Sequence, residues 1–569
     1  MLVRMTPIHE VLRQLLATSL TAAGYAAHTS VEGLILEHPG DSSHGDYATN
    51  VALVLAKKVG ESPRAVAEKI VALFPTHEAI AKLDIAGAGF INITLSREFL
   101  QKSVTEAVLC GDAWGKDTAR KGQYIVFEYT SPNLFKPLHI GNLVGNIIGE
   151  SLTRLFEASG ATVKRVNYPS DIGPTVAKGV WGLTQTKGNP DDINALGEAY
   201  RIGNAAYESD PEAKQHIDEV NKKLYENTDA DLGALRARGL KTSRARLAEL
   251  CQILGTSFDS EIPESEAAPA GAQYVRNALG TIFEESEGAV VYRGEKVGLH
   301  TRVFLNAKGF PTYEAKDLGN FSIKQSQYPS LTHSYIVTGA EQAQYFKVVF
   351  AAIREVFPDA HATEMRHIPT GFLTLTTGKM SSRLGNVVPA LEFIETVTEK
   401  ILERMVDVDI ADKKKVALQV AVGAIKYAIL RSGTGKDILF DLEKSISFEG
   451  DSGPYLQYTH ARLCSVIAKA KALGVREVTS SVPETPYALE RMLYRFPEVL
   501  AKAATLCEPH HVVTYLVELA SEFNAFYAHE RIADASDTYA SYKLAMAHAV
   551  QLTLKNGLQV LGIAAPEAM

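Results

Sequence analysis

The chain has 569 residues, of which 46% are hydrophobic and 22% charged, with a formal net charge of −8. At roughly 100–200 residues per core this length calls for roughly three to five domains, and the composition is that of a globular protein without an apolar run long enough to span a bilayer. The acidic balance excludes a generally polycationic surface, so any nucleic-acid contact has to come from a local basic patch.

The segment Ile8 to Leu20 has helical periodicity but neither a long apolar run nor a small-residue cleavage site after it. It therefore does not read as a signal peptide, and a cytoplasmic location is expected. His44-Gly-Asp-Tyr-Ala-Thr-Asn50 leads into a helical run from Val51 to Lys58, and Gly89-Phe-Ile-Asn-Ile-Thr-Leu95 alternates like a strand. Residues 1–112 thus read as a small α+β domain, closed by the polar stretch Gly111 to Gly122. Cys110, Cys251, Cys464 and Cys507 lie far apart and form no CxxC or Cys/His cluster, so no metal ligand set and no disulfide framework is expected.

Gln123-Tyr-Ile-Val-Phe-Glu-Tyr129 is strand-like, Thr130-Ser-Pro-Asn133 breaks it, a helical pattern runs from His139 to about Ala158, and Val163 to Tyr168 is a second strand. Strand, loop, helix, strand is the mark of a parallel α/β unit, whose ligands bind at the carboxyl ends of the strands. Residues of about 180–290 are polar and helical, broken at Asn189-Pro-Asp-Asp192 and at Ala267 to Ala272, and read as an insertion. Strands follow at Val290 to Tyr292, Arg302 to Leu305, Ser334 to Thr338 and His367 to Leu375, with helices around Asp317 and from Gln344 to Val356. The α/β domain is placed at residues 113–388. From 389 to 569 helical periodicity dominates, through Leu418 to Leu430, Tyr455 to Ala470, Tyr487 to Leu506 and Val513 to Phe526, giving an all-α domain.

Two short elements carry chemistry. Leu138-His-Ile-Gly-Asn142 lies at a helix start, where free N–H groups and the dipole favour an anion, and Gly141 allows close approach of a nucleotide. Gly378-Lys-Met-Ser-Ser-Arg-Leu-Gly385 places two cations and two hydroxyls on a Gly-flanked loop after a strand, as a clamp over a triphosphate needs. Alone, the first is more simply a helix start with a solvated histidine and the second a basic turn. Their order, and their positions at opposite ends of one α/β region, make the pair much more specific.

With both in place, the chain resembles the class I aminoacyl-tRNA synthetases, whose HIGH and KMSKS signatures occupy these positions. Glu128-Tyr-Thr-Ser-Pro-Asn-Leu-Phe-Lys-Pro-Leu-His139 resembles the extended first signature of the arginyl-tRNA synthetase family. Phe440-Asp441, Gly453-Pro-Tyr-Leu-Gln-Tyr-Thr-His-Ala-Arg462 and Phe523-Asn-Ala-Phe-Tyr527 resemble its helical anticodon-binding domain, and the first hundred residues its N-terminal tRNA-binding domain. The resemblance implies a multidomain α/β fold: a Rossmann-like parallel-sheet catalytic domain with a helical insertion, a small α+β N-terminal domain and an all-α C-terminal domain.

It also implies activation of L-arginine by ATP, with Mg²⁺ as part of the nucleotide complex and no tightly bound cofactor, then transfer to tRNA(Arg) by a monomer with no membrane partner. Adenylate formation that waits for bound tRNA is a further implication. His139, Asn142, Lys379 and Arg383 would be catalytic, with Lys136, Gly141, Met380, Ser381 and Ser382 also at ATP. Asn133, Tyr313, Asp317 and Gln342 match substrate-binding positions, with Glu128 as a further partner and Asn92 as a candidate from the N-terminal domain. Carboxylates suit a guanidinium, which they can meet in fork geometry. Tyr455, Tyr458, His460, Arg462 and Tyr527 are candidates for the anticodon loop, although aromatics at helical spacing are usually core and at least half of them are expected to be so.

The chain departs from the family pattern in three places. Asn142 replaces a histidine, Ser382-Arg383 replaces the second lysine of the loop, and Tyr168-Pro-Ser-Asp-Ile-Gly173 stands where many relatives carry a Trp-Gly pair. A class I enzyme for another amino acid, or a catalytically silent tRNA-binding paralogue, would share these motifs. A pocket lacking converging carboxylates would favour the former.

Overall fold

The computed structural model describes residues 7–30, 33–376, 388–405 and 410–569. The N-terminal unit starts with the helix Ile8–Ala22 and contains the helices Val51–Val59 and Pro63–Ala72 beside a three-stranded antiparallel sheet. In that sheet Phe90–Leu95 lies between Tyr47–Thr49 and Ile80–Ala86. Ser62 caps its helix by accepting a hydrogen bond from Ala65 N, with Pro63 at the first helical position, where its missing N–H costs nothing.

The larger sheet is five-stranded and parallel. Its order is Glu364–Thr370, His333–Gly339, Tyr124–Glu128, Thr162–Asn167, Ser260–Glu261. The chain order reverses between Tyr124–Glu128 and His333–Gly339, so a crevice opens beyond Glu128 and Thr338, where open parallel sheets bind ligands. The insertion contributes the helices Pro174–Thr186, Ile193–Ser209, Pro211–Glu226 and Ala230–Leu254 before the chain returns to the sheet at Ser260.

Ala267 to Ala272 is not the break that its composition suggests; it lies within the helix Glu264–Asn277. Its small residues form a seam against the helix Tyr313–Gln327. A Cβ on Gly271 would lie 1.7 Å from the Ala315 carbonyl oxygen, and one on Gly319 would lie 2.0 Å from that of Ala267, so the two backbones touch. The strands Phe283–Ser286, Ala289–Tyr292 and Arg302–Leu305 form a separate antiparallel sheet beside this pair.

Among the described residues the C-terminal unit is helical, with one exception. Ile438–Phe440 is a strand parallel to Leu373–Leu375, the second half of the stretch expected to run as one strand from His367. The expected helix from Tyr487 to Leu506 is two, Ala488–Leu493 and Phe496–Leu506. One apolar core runs from Ile147, Leu152 and Phe156 of the α/β unit into Leu516, Leu544 and Leu558, and the Trp114 indole N–H donates to Thr553 Oγ1 across that boundary.

The N-terminal unit docks on the C-terminal helices through buried charge. Asp46, fully buried, accepts from Leu95 N and from Arg491. Glu490, also fully buried, accepts from Arg97 at 2.6 Å and from the Tyr542 hydroxyl at 2.5 Å. Removing one partner of such a pair leaves the other charge buried and uncompensated. Glu490→Ala is therefore expected to cost about 3–5 kcal/mol, read as a lowered urea midpoint for undocking of the N-terminal unit. An unchanged midpoint would show that the apolar contact alone holds the units together.

Candidate active site

The loop between the strand Tyr124–Glu128 and the helix Ile140–Ala158 has an unusual backbone. Thr130, Ser131 and Phe135 have φ of 74°, 37° and 69°, a left-handed region that side chains other than glycine's avoid. The surroundings enforce it: Asn146 Nδ2 donates to Thr130 Oγ1, Phe135 N donates to Ser243 Oγ, and the Phe135 ring packs where a side chain on Gly179 or Gly239 would lie. Strain held this way belongs to functional loops.

His139 is the N-cap of the helix. Its Nδ1 accepts from Gly141 N at 3.1 Å, and Asn142 Oδ1 accepts from His139 N at 2.9 Å, forming a reciprocal capping box. A Cβ on Gly141 would lie 2.9 Å from the His139 ring, so glycine makes room for that ring. Burial, with Lys136 beside it, lowers the His139 pKa, and the imidazole is neutral at physiological pH. Asn142 thus has a local task, with its amide NH₂ left as the group that can donate outward. Lys379, Met380, Ser381, Ser382 and Arg383 lie outside the described residues. Their flanks are fixed: Thr376 N donates to Phe440 O, and Ile140 N donates to Val388 O immediately beside His139.

A cavity of about 490 Å³ opens at the sheet's reversal point, and Glu128, Asn133, Tyr313, Asp317 and Gln342 all line it. Ser131, Tyr168, Glu264, Arg302, Glu341 and Tyr345 line it too. The carboxylates are not equivalent. Glu128 is ion-paired with the buried Lys324 and accepts from Asn320 Nδ2 at 2.8 Å, so the substrate partner expected from the sequence is already neutralised within the protein. Glu264 is paired with Lys316 at 2.5 Å. Asp317 accepts a hydrogen bond of 2.6 Å from the Tyr345 hydroxyl, and among the described residues no cation lies within ion-pair distance of it. Burial first, then the negative charge of Glu128, pushes its carboxyl up to about 8. The Tyr168 hydroxyl and Ser131 Oγ, both buried, have no hydrogen-bond partner. Among the described residues the pocket thus presents one enclosed acid without a cation, Asp317, a second at its exposed rim, Glu341, and two unpaired hydroxyls.

Sequence reading missed Tyr168, Tyr345 and Arg302 as lining residues, and missed Lys324 as the partner of Glu128. Asp317, Asn320 and Lys324, at i, i+3 and i+7 on one helix, were the available signal. Tyr345 joins from the helix Ala343–Val356 only through tertiary packing.

Other candidates lie elsewhere. Asn92 is buried in the N-terminal sheet and lines none of this pocket. His460, expected at the anticodon loop, is 1% exposed, with its ring nitrogens on Pro566 O and Gln551, so it is a core residue. Tyr455 is half-buried, its hydroxyl accepting from Asn524. Tyr458 and Tyr527 are 37% and 39% exposed, and Arg462 lies over the Tyr458 ring while donating to Asn524. One of the five is therefore core, one is half-buried, and Tyr458, Arg462 and Tyr527 lie toward the surface, fewer core residues than helical spacing suggested.

The parallel sheet, the histidine-capped helix and the crevice at the strand ends define a class I tRNA synthetase catalytic domain. A family model described as the class I (R) tRNA synthetase catalytic domain matches residues 103–442, one for the arginyl tRNA synthetase N terminal domain matches 10–95, and one for the DALR anticodon binding domain matches 456–569. The chain is 31% identical over 558 residues to the arginine–tRNA ligase of Streptococcus agalactiae, covering 94% of this chain and 96% of that one. It is likewise 31% identical to that of Lactococcus lactis, over 98% and 100% of the two chains. The solved arginyl-tRNA synthetase of Thermus thermophilus superposes with a TM-score of 0.82 at 26% identity, over 99% of this chain and 100% of that one. The chain belongs to the arginyl-tRNA synthetase family.

The carboxyl of Asp317 is expected to titrate near 8 in the ligand-free protein, as a carboxyl band in difference infrared spectra that Asp317→Asn removes. A midpoint in the ordinary range, about 4, would reveal a compensating cation beside it.

Proposed function

We propose that the chain is an arginine–tRNA ligase whose amino-acid pocket is the crevice around Asp317. The observation that carries this reading is the Asp317 carboxylate, held out of water with no cation within ion-pair distance among the described residues, beside the closed pairs Glu128–Lys324 and Glu264–Lys316; Glu341, the other unpaired acid of the crevice, is exposed. A guanidinium is permanently charged and planar, and it would supply that cation while donating to the free hydroxyls around it. Asn133 and Gln342, at the crevice mouth, are suited to the polar end of the amino acid, on the side from which the loop leads to His139.

In the first step the arginine carboxylate attacks the α-phosphorus of ATP in line. The bond to the β,γ-bridged phosphates breaks, and arginyl-adenylate and pyrophosphate form. In the second, a hydroxyl of the terminal ribose of tRNA attacks the arginyl carbonyl and AMP leaves. No covalent enzyme intermediate is required, so positioning and electrostatic stabilisation supply the rate. His139, the N–H groups of its helix and the Lys379–Arg383 segment would meet the phosphates of the nucleotide, which would arrive as its Mg²⁺ complex and so with part of its charge neutralised. Neutral His139 donates a hydrogen bond without adding charge, and the Asn142 amide can do the same where relatives have imidazole.

The decisive experiment is ATP–pyrophosphate exchange with a panel of amino acids, with and without tRNA. Arginine should drive it best, and only with tRNA present; faster exchange with another amino acid would overturn the specificity. Because binding must expel the proton from Asp317 when the pH lies below its pKa, arginine affinity should rise roughly fifteenfold between about pH 6.5 and about pH 8, about twofold more above that, and level off past about pH 9. Asp317→Asn should abolish that dependence and weaken arginine binding by about 2–5 kcal/mol.

On the C-terminal surface, Tyr527→Ala is expected to raise the KM for tRNA by the equivalent of about 1–3 kcal/mol, one lost stacking partner, with the KM for arginine unchanged. His460→Ala should instead lower thermal stability. Equal tRNA affinity in Tyr527→Ala would move the RNA contact off this face.

A further inference from the structure

The helices Phe496–Leu506 and His510–His529 meet at a short junction, and on it Glu508, His510 and His511 turn toward one another. Among the described residues this is the group whose donor atoms, one carboxylate oxygen and two ring nitrogens, all lie within 4.8 Å of one another. Glu508 Oε2 lies 3.3 Å from His511 Nε2 and 3.8 Å from His510 Nδ1, and the two imidazole centroids are 4.2 Å apart. Two donors bound tetrahedrally to zinc at about 2.0–2.1 Å are about 3.4 Å from each other, close to the first spacing and within small side-chain rotation of the second.

Both nitrogens are buried, and neither makes a hydrogen bond of acceptable geometry. Two imidazoles and one carboxylate suit a zinc-class ion, whereas magnesium and calcium prefer all-oxygen sites.

We propose that Glu508, His510 and His511 bind one zinc-class divalent ion, with the fourth position open to water. No cysteine takes part, so a search for CxxC or Cys/His spacing passes over it; the signal is Glu-x-His-His at a helix start. The site lies outside the amino-acid pocket and fastens a structural joint. Thr434 Oγ1 donates to Cys507 O at 2.8 Å, and a Cβ on Gly433 would lie 3.9 Å from the His510 ring. This turn leads directly into the strand Ile438–Phe440. A bound ion would hold the helix junction against that turn.

The test uses the full chain, stripped with a chelator and titrated with Zn²⁺ against a chromophoric zinc indicator. One ion per chain should bind in the wild type. Loss of a primary ligand should cost at least what loss of an outer hydrogen-bond partner costs at metal sites, about tenfold, in each of Glu508→Gln and His511→Gln. Zn²⁺, but not Mg²⁺, should raise the thermal midpoint of the wild type and leave that of the Glu508→Gln/His511→Gln double variant unmoved. Far-ultraviolet circular dichroism matching the wild type keeps both variants interpretable; if either is misfolded, His510→Gln takes its place. Zinc affinity equal in the wild type and in folded variants, or no zinc bound by the wild type, would overturn the proposal.

Discussion

Glu128 ends a central strand of the parallel sheet with its carboxylate out of water, and Lys324 from a neighbouring helix neutralises it. An isolated carboxylate at that depth would cost several kcal/mol, so this pairing is a condition for the strand to end where it does. Lys324 and Asn320 are then committed to Glu128. Asp317, on the same helix face, is left with a tyrosine hydroxyl and no cation. Burial, and then the charge of Glu128, raise its pKa: Glu128 and Glu264 are satisfied internally, whereas Asp317 is enclosed without a cation among the described residues. With Asp317 paired as well, the enclosed part of the crevice would hold no uncompensated acid. A crevice with none of these acids paired would be costly to fold.

This difference between the acids depends on where the helix Tyr313–Gln327 lies, and two glycines decide that. Gly271 and Gly319 allow backbone contact with the helix Glu264–Asn277, and any side chain at either position would push the helices apart. The same helix is pinned from its other end by Asp171, which accepts from Ser265 N and Ser265 Oγ and takes the Arg236 guanidinium from the insertion. The segment Tyr168 to Gly173, where the sequence leaves the family pattern, therefore has two physical tasks. Tyr168 presents its hydroxyl to the crevice, and Asp171 ties the insertion to the wall of the pocket.

Most of the architecture was legible because its signals are local. The alternation of Phe90 to Leu95 and the helix start at His139 are set by neighbours in sequence, and the site's five substrate candidates came from motif resemblance and chemistry together. What was not legible is what long-range contact decides. Ala267 to Ala272 looks like a break because small residues and a proline lower helix propensity, yet tertiary contact requires smallness there. Ile438 to Phe440 is too short to register as a strand and exists because Leu373 to Leu375 pairs with it. Whether Glu128 is free or paired cannot be read from its own neighbourhood, since Lys324 is distant in sequence. His460 carries the chemistry of an RNA contact and is held in the core by Pro566 and Gln551, both far along the chain.

The two anchors of the Lys379–Arg383 segment belong to different parts of the molecule. On its leading side, Thr376 is bonded to Phe440, in a strand continuous with the C-terminal unit. On its trailing side, Val388 is bonded to Ile140, the first residue of the helix that His139 caps. The distance between these anchors is set by how the C-terminal helices pack on the catalytic unit, and that packing is one uninterrupted apolar core rather than a hinge. Close-packed interiors transmit displacement instead of absorbing it. The strand Ile438–Phe440, which holds the leading anchor, and the helices that carry Tyr458, Arg462 and Tyr527 are thus parts of one packed body.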